Sequence, residues 1–245
     1  MGSAQVEEKL RLEWSPEQIA GWLSRTRGIS LSHERIYQHV RTDRQAGGPL
    51  YTHLRQGHKK CKKRYGKPDS RGQIRDRVSI ENRPEVVEKK SRIRDWEIDL
   101  VVGRKQQGAL VTLVERRSRY TVIGKVTTKQ AEEVATTTIG LLEPQQEYTH
   151  TITADNGKEF AAHQSISRRL QAQVYFVHPY HSWERGLNEN TNGLIRQYFP
   201  KGTDLEPVSD VDIDRIMDRL NHRPRKVLGF RSPYEVWCQE TGNEP

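Results

Sequence analysis

The stretch WEIDLVVGRKQQGALVTLVERRSRYTVIGKVTT, residues 96–128, decides the fold class. It contains three apolar, β-branched runs separated by short polar turns, which is the pattern of an antiparallel meander. Downstream, THTITAD and AQVYFVH predict two more strands, and helical patterns alternate with them up to GLNENTNGLIRQYF at 186–199. We therefore predict an α/β domain over residues 92–240, with a mixed five-stranded sheet flanked by helices.

Three carboxylates stand at informative places in this domain. Asp99 lies in the middle of the first strand, where a central strand is normally apolar and an unpaired acid is costly. Asp155 follows the fourth strand, and ligands of open α/β sheets collect at such strand ends. Glu189 lies in the last helix among asparagines, which are poor helix formers. Carboxylates from separate elements are the ligands with which Mg²⁺ ions can clamp a phosphodiester.

Each acid also has a structural interpretation, and the residues alone leave the choice open. Asp155 precedes an Asn-Gly pair and is typical of a plain turn. Asp99 is compatible with a buried pair to an arginine, and Glu189 with a solvated helix surface. Three further acids compete for a role in such a site: Glu97, Glu159 and Glu184.

Residues 1–45 predict a small helical domain in front of the sheet. Ser15 is the expected N-cap of the second helix, with a capping box to Gln18, and Gly28 ends that helix. Ser32 caps the third helix, which gives a helix-turn-helix pattern, although three-helix units also serve as protein-interaction modules. The inward residues expected on the third helix are Ile36, Tyr37 and Val40. The face expected in a DNA groove carries His33, Arg35, Gln38 and His39.

A basic linker, residues 46–91, joins the two predicted domains. The net charge is +9 and the pI about 9.6, and residues 55–77 alone hold ten Lys or Arg and two Asp. That segment therefore carries +8, which leaves +1 for the rest of the chain. A solvated linker can carry such a run, but its length and position favour contact with a nucleic-acid backbone. The residues expected to make this contact are Lys59, Lys60, Lys62, Lys63 and Arg64.

Composition excludes several other classes of protein. Two cysteines are too few for a disulfide framework, and His53, His58 and Cys61 lack the spacing of a zinc site. No apolar run is long enough for a transmembrane helix, and no signal peptide is evident. The mean hydropathy of −0.90 is low for a compact globule. We expect a protein of a reducing, DNA-containing compartment.

Four segments resemble the insertion-sequence-30 family of bacterial transposases: WEIDLVVG, TADNGKEF, PYHSWERGLNENTNGLIRQYFPKGTDL and LNHRPRKVLGFRSPYEV. The resemblance covers nearly the whole chain and includes WSPEQIAGWL, SHERIYQHV and GGPLYTHLR. It implies a ribonuclease-H-like catalytic core, as in retroviral integrases, whose Asp-Asp-Glu triad falls on Asp99, Asp155 and Glu189. The 33 residues between the second and third acids match the spacing expected in the family.

The chain departs from the family pattern in two respects. Ile98 stands where the first motif more often has glycine, which leaves the neighbouring acid unchanged. Family members usually carry a further N-terminal helix-turn-helix domain, which is not seen ahead of residue 13. We therefore expect a truncated protein with weakened recognition of the element's ends.

The resemblance implies a Mg²⁺-dependent DNA transposase, with Mn²⁺ as a substitute, that cuts the element's ends and joins the 3′-hydroxyl to target DNA. The implied partner is double-stranded DNA bound by a homodimer or larger assembly, in the bacterial cytoplasm at the nucleoid and away from membranes. The alternative is a non-catalytic DNA-binding regulator that retains the fold. Further DNA contacts are expected from Arg185, Asn192, Arg196, Arg223 and Arg225.

Overall fold

The computed structural model describes residues 2–55, 74–178 and 186–242. These residues form two compact units. One unit combines residues 2–55 with 222–236, and the other combines the described residues of 74–221 with 237–242. The sequence placed 222–236 in the α/β domain, whereas the structure groups this segment with the N-terminal helices.

The α/β unit is built on a mixed sheet of six strands among the described residues. The strands are β1 (Val78–Ser79), β2 (Asp95–Val102), β3 (Ala109–Glu115), β4 (Thr121–Val126), β5 (Thr151–Ala154) and β6 (Gln173–Phe176), in the order β1-β6-β5-β2-β3-β4. The predicted meander is confirmed, because β2, β3 and β4 pair antiparallel. The prediction of five strands was wrong by one, because β1 has only two residues and leaves no periodic pattern in the sequence.

Helices cover both faces of this sheet. The helices of this unit are α4 (Glu85–Lys89), α5 (Ala131–Leu142), α6 (His163–Leu170), α7 (Gly186–Tyr198) and α8 (Asp210–His222), while α9 (Pro233–Thr241) is divided between the two units after Val236. On one face, α7 and α8 bury their apolar residues against the sheet around Val101, Leu110 and Ile123. Gly124 faces the opposite side, where a Cβ would meet the Thr137 side chain at 2.8 Å. The absent side chain therefore lets α5 approach the sheet closely.

The helical unit contains α1 (Gly2–Arg11), α2 (Pro16–Arg27) and α3 (His33–Gln45). The predicted caps of α2 are confirmed: Ser15 and Gln18 form the capping box, and Gly28 ends the helix with a φ of 64°. Ser32 also caps α3 as expected. Tyr37 was wrongly expected inside; it is 42% exposed, while Ile36 and Val40 are buried. No helix in the described ranges is long and apolar enough to cross a bilayer.

The segment 222–236 packs directly onto α2 within the helical unit. A Cβ at Gly21 would meet the Phe230 ring at 2.3 Å, so only glycine permits this approach. Ion pairs flank the contact, with Lys226 bound to Glu17 at 2.7 Å and Arg25 bound to Glu235 at 2.6 Å. The helical unit is therefore assembled from two distant parts of the chain.

Replacing Ser15 with alanine should weaken the start of α2. The Ser15 hydroxyl accepts the Gln18 amide at 3.2 Å, and the loss of such a cap costs about 1 kcal/mol. Amide hydrogen exchange in the first turn of α2 should then accelerate about fivefold. Ser24→Ala is the matched control, because Ser24 is exposed in the middle of α2 and alanine is the better helix former there. Equal exchange rates in the two variants would contradict the capping role.

Candidate active site

Asp99 and Asp155 lie at the same level on neighbouring parallel strands. In the β2–β5 pair, Trp96 is opposite Ile152 and Glu97 is opposite Thr153. The same register carried two residues further brings Asp99 level with Asp155, which directly follows β5. Adjacent strands are about 4.8 Å apart, and both acids are half-buried. The two carboxylates are therefore neighbours across the β2–β5 pair, although 55 residues separate them in the chain.

The turn after β5 fixes the Asp155 carboxylate. Its Oδ1 accepts the Gly157 amide at 2.8 Å, which is an Asx turn. Asn156 donates its side-chain amide to the Val177 carbonyl at 2.6 Å and accepts a hydrogen bond from Arg77. The half-buried Glu159 carboxyl lies over Gly157, where a Cβ would meet its Cδ at 2.5 Å. The turn is therefore held both by its own backbone and by neighbouring elements.

Helix α7 links the third acid to Asp99. Glu189 is exposed in the first turn of α7, and Asn192 follows three residues later on the same helix face. Asn192 Nδ2 donates to Asp99 Oδ2 at 2.8 Å, and Thr112 Oγ1 donates to Asn192 Oδ1 at 3.2 Å. The other oxygen of Asp99, Oδ1, accepts the Leu100 amide at 2.9 Å. Asn192 therefore ties the helix that carries Glu189 to the strand that carries Asp99.

Of the competing acids, Glu97 has a defined role in the packing. It is 1% exposed and forms an ion pair with Arg116, which is itself 2% exposed. The buried acid–arginine pair considered for Asp99 is thus formed by Glu97, two residues earlier. Glu184 lies outside the described residues.

Three of the predicted DNA contacts form polar contacts within the protein. The side-chain amide of Asn192 donates a hydrogen bond to Asp99 and accepts one from Thr112. Arg196 donates to the Val102 carbonyl at 2.8 Å and the Phe199 carbonyl at 3.4 Å, and burial lowers its pKa. Arg223 is 2% exposed and pairs with Glu13 at 3.5 Å. Asn192 and Arg196 are half-buried and Arg223 is buried, and a DNA contact by any of the three stays a prediction.

The remaining predicted DNA contacts stay predictions. His33, Arg35 and Gln38 are exposed on α3, whereas His39 is half-buried and lies 3.2 Å from Glu7 Oε1. Arg225 is half-buried, and its backbone amide donates to the Arg231 carbonyl at 2.9 Å. Six predicted contacts lie outside the described residues: Lys59, Lys60, Lys62, Lys63, Arg64 and Arg185.

Sequence reasoning missed two arginines that flank β1, one before it and one after it. Arg77 donates to Asn156 beside Asp155, and Arg83 donates to Thr153 Oγ1 at 3.0 Å. Both belong to the stretch that was assigned to the basic linker. No local signal separates them from the other basic residues there, because their partners are more than 60 residues away in the chain.

The donor set suits a hard divalent cation. Mg²⁺ usually takes one or two protein carboxylates and completes its shell with water and substrate phosphate. Asp99 and Asp155 supply two carboxylates from one level of the sheet, and α7 carries Glu189. Within residues 2–55, 74–178 and 186–242, no three or more His, Cys, Asp or Glu side chains are grouped so that they could hold a metal ion.

Comparison with known proteins shows which family the chain resembles. Residues 90–182 match the Integrase core domain. The transposase for insertion sequence element IS4351 of Bacteroides fragilis is 47% identical over 96% of this chain and 72% of its own length. The transposases for IS1086 of Cupriavidus metallidurans and IS30A of Escherichia coli are each 38% identical, over 97% and 94% of this chain and 72% and 63% of their own lengths.

Among solved structures, the catalytic core domain of BIV integrase is similar to 61% of this chain and 96% of its own chain, with 19% identity and a TM-score of 0.45.

The integrase core domain and the transposases that are 38–47% identical over most of the chain define a DNA transposase of the integrase-core class. With relatives of this similarity over most of its length, the chain belongs to the insertion-sequence-30 family of transposases.

Proposed function

We propose that the protein cuts DNA at the ends of its insertion element and joins the released 3′-hydroxyl to target DNA, using Asp99, Asp155 and Glu189. One observation carries this proposal: Asp99 and Asp155 are level on neighbouring parallel strands, and Asn192 ties the helix of Glu189 to Asp99. Three acids that are distant in the chain are thereby held on adjoining elements.

The proposed metal ligands are the carboxylates of Asp99 and Asp155, with Glu189 as the third. Asn192 and the Leu100 amide orient the two oxygens of Asp99, while the Gly157 amide orients Asp155. Ligands that are oriented in advance need little rearrangement when the substrate arrives. A divalent cation bound there, Mg²⁺ or Mn²⁺, would supply Lewis acidity to the phosphate and to the attacking hydroxyl.

The proposed reaction has two steps of the same kind. In the first, a water oxygen attacks the phosphorus at the element's end, and the bond from phosphorus to the 3′-oxygen breaks. The proton lost by the water balances the one taken up by the leaving 3′-oxygen. In the second, this 3′-hydroxyl attacks a phosphorus of target DNA, and the target's own 3′-oxygen leaves. No protein side chain becomes covalently bound to DNA in either step.

The partner in this proposal is double-stranded DNA, bound by a homodimer or larger assembly in the bacterial cytoplasm at the nucleoid. Support for DNA binding comes from the exposed His33, Arg35 and Gln38 on α3 and from the basic segment 55–77.

The test is strand cleavage of labelled duplex that carries the terminal repeats flanking the protein's own gene. We expect nicking in Mg²⁺ or Mn²⁺ and none in EDTA. Glu189→Gln should lower the nicking rate at least about 100-fold, because the neutral amide is a poor ligand for a hard cation. Glu132→Gln is the matched control, because Glu132 is also exposed in the first turn of a helix, α5, and should leave the rate unchanged.

Two results would overturn the proposal. Tight, sequence-specific binding of the terminal repeats without nicking in either metal would identify a non-catalytic DNA-binding regulator. Equal rates for the Glu189→Gln and Glu132→Gln variants would remove Glu189 from the site.

A further inference from the structure

The strand that carries Asp99 holds a second acid facing the same side of the sheet. Side chains two residues apart on a strand share a face, so Glu97 and Asp99 both point toward α7. Glu97 is 1% exposed, whereas Asp99 is half-buried. A buried carboxylate is costly unless charged and hydrogen-bonding partners compensate for the loss of water. The contacts of its two oxygens therefore show what it does.

One oxygen of Glu97 is held by Arg116. Arg116 Nη1 donates to Glu97 Oε1, and both side chains are almost fully buried. The arginine is fixed in turn, because its Nε donates to the Val87 carbonyl at 3.1 Å and its Nη2 lies 3.4 Å from Glu88. These contacts fix Arg116, and Arg116 in turn restrains the Glu97 side chain, which therefore has little freedom to move toward the edge of the sheet.

The other oxygen of Glu97 contacts the start of α7. Glu97 Oε2 accepts the backbone amide of Asn188 at 3.3 Å. The first amides of a helix lack partners within the helix, and the helix dipole favours a negative charge near them. Asn188 immediately precedes Glu189, and the residue is 0% exposed. Glu97 therefore anchors the turn of α7 that carries Glu189.

A second anchor lies one turn further along α7. Asn192 binds Asp99 at 2.8 Å, so alternate residues of β2 hold successive turns of the helix. Two anchors fix both the height and the rotation of a helix over a strand, whereas one anchor leaves it free to rotate. The rotation decides whether Glu189 points toward Asp99 and Asp155.

We infer that Glu97 is a positioning residue, which with Arg116 fixes the first turn of α7 and thereby aims the Glu189 carboxylate at the site. Its catalytic consequence rests on the function proposed above, whereas the anchoring itself does not. Glu97 binds no metal in this assignment, because its oxygens hold Arg116 and Asn188.

The direct test is residue-resolved amide hydrogen exchange on the intact protein. We expect the Asn188 amide to be protected, and Glu97→Gln to accelerate its exchange about tenfold or more relative to the amides of β3, the internal reference for global opening. Asp95→Asn is the matched control, because Asp95 is equally buried on the same face of β2 but binds Arg92 and Thr151. Asp95→Asn should leave the exchange rate of the Asn188 amide unchanged relative to the amides of β3.

A second variant distinguishes loss of the Asn188 contact from general unfolding of the protein. Glu97→Asp keeps the negative charge beside Arg116, but its side chain is one methylene too short to reach both Arg116 and Asn188. It should therefore fold and still expose the Asn188 amide. In the nicking assay, both Glu97 variants should raise the Mg²⁺ concentration for half-maximal rate about tenfold, and Asp95→Asn should not.

The outcomes separate this inference from the proposed function. An Asn188 amide that exchanges like an unstructured peptide, or that responds equally to the Glu97 and Asp95 variants, would overturn the anchoring. Unchanged metal dependence in the Glu97 variants of an active enzyme would overturn the aiming of Glu189. A wild-type protein that never nicks DNA would defeat the proposed function, yet the exchange result would still decide whether Glu97 anchors α7.

Discussion

Replacing Asp155 with asparagine is expected to lower the rate of DNA nicking roughly a thousandfold while leaving the fold unchanged. Asparagine keeps the side-chain oxygen that accepts the Gly157 amide, and it is itself a favoured residue for an Asx turn. What is lost is the negative charge that a hard divalent cation requires. The substitution thus separates the chemistry of the carboxylate from its part in the turn. The measurement is single-turnover nicking of terminal-repeat duplex in Mg²⁺.

The α/β unit offers a closely matched control for this substitution. Asp204 Oδ1 accepts the Glu206 amide at 3.0 Å, the same contact over the same number of residues, at an exposed position. Asp204→Asn should therefore leave the nicking rate within about twofold, because surface substitutions have small effects. A fully active Asp155→Asn protein would show that this aspartate only shapes the turn. An equal loss in both variants would trace the effect to turn geometry.

Replacing Arg116 with methionine should have the largest effect on stability, a loss of about 3 kcal/mol in the free energy of unfolding. The substitution leaves the Glu97 carboxylate buried without its ion-pair partner. We expect the low end of the usual range because other positive groups are near. Burial and the positive charge of Arg116 lower the pKa of both Arg83 and Arg119, whereas the negative charge of Glu97 raises it. Arg83 and Arg119 can therefore stabilise part of the Glu97 charge when Arg116 is removed.

Urea unfolding of the two single variants and the double variant measures this coupling. Arg116→Met combined with Glu97→Gln should recover part of the loss, because the unpaired buried charge disappears. Arg168→Met is the control at an exposed arginine of α6 and should change the free energy of unfolding by less than about 0.5 kcal/mol. The prediction fails if Arg116→Met and Arg168→Met have equal stability.

The sequence determined what depends on local pattern. Apolar alternation over residues 96–128 predicted the meander of β2, β3 and β4, and the Ser15 capping box predicted the start of α2. The acids at 99, 155 and 189 were proposed as one site from the family pattern, and that site stays a prediction. The strands and the cap could be predicted because the residues that define each of them are neighbours in the chain.

Only the tertiary structure decided which polar groups meet. Glu97 and Asp99 look equivalent in the sequence, since both are acids on one face of β2. Packing gives Glu97 the buried Arg116 and leaves Asp99 half-buried beside Asn192. The same reasoning explains why Arg223, charged and proline-flanked in the sequence, is buried against Glu13. A charged residue's role depends on the partner and solvent access it acquires on folding, and both depend on residues distant in the chain.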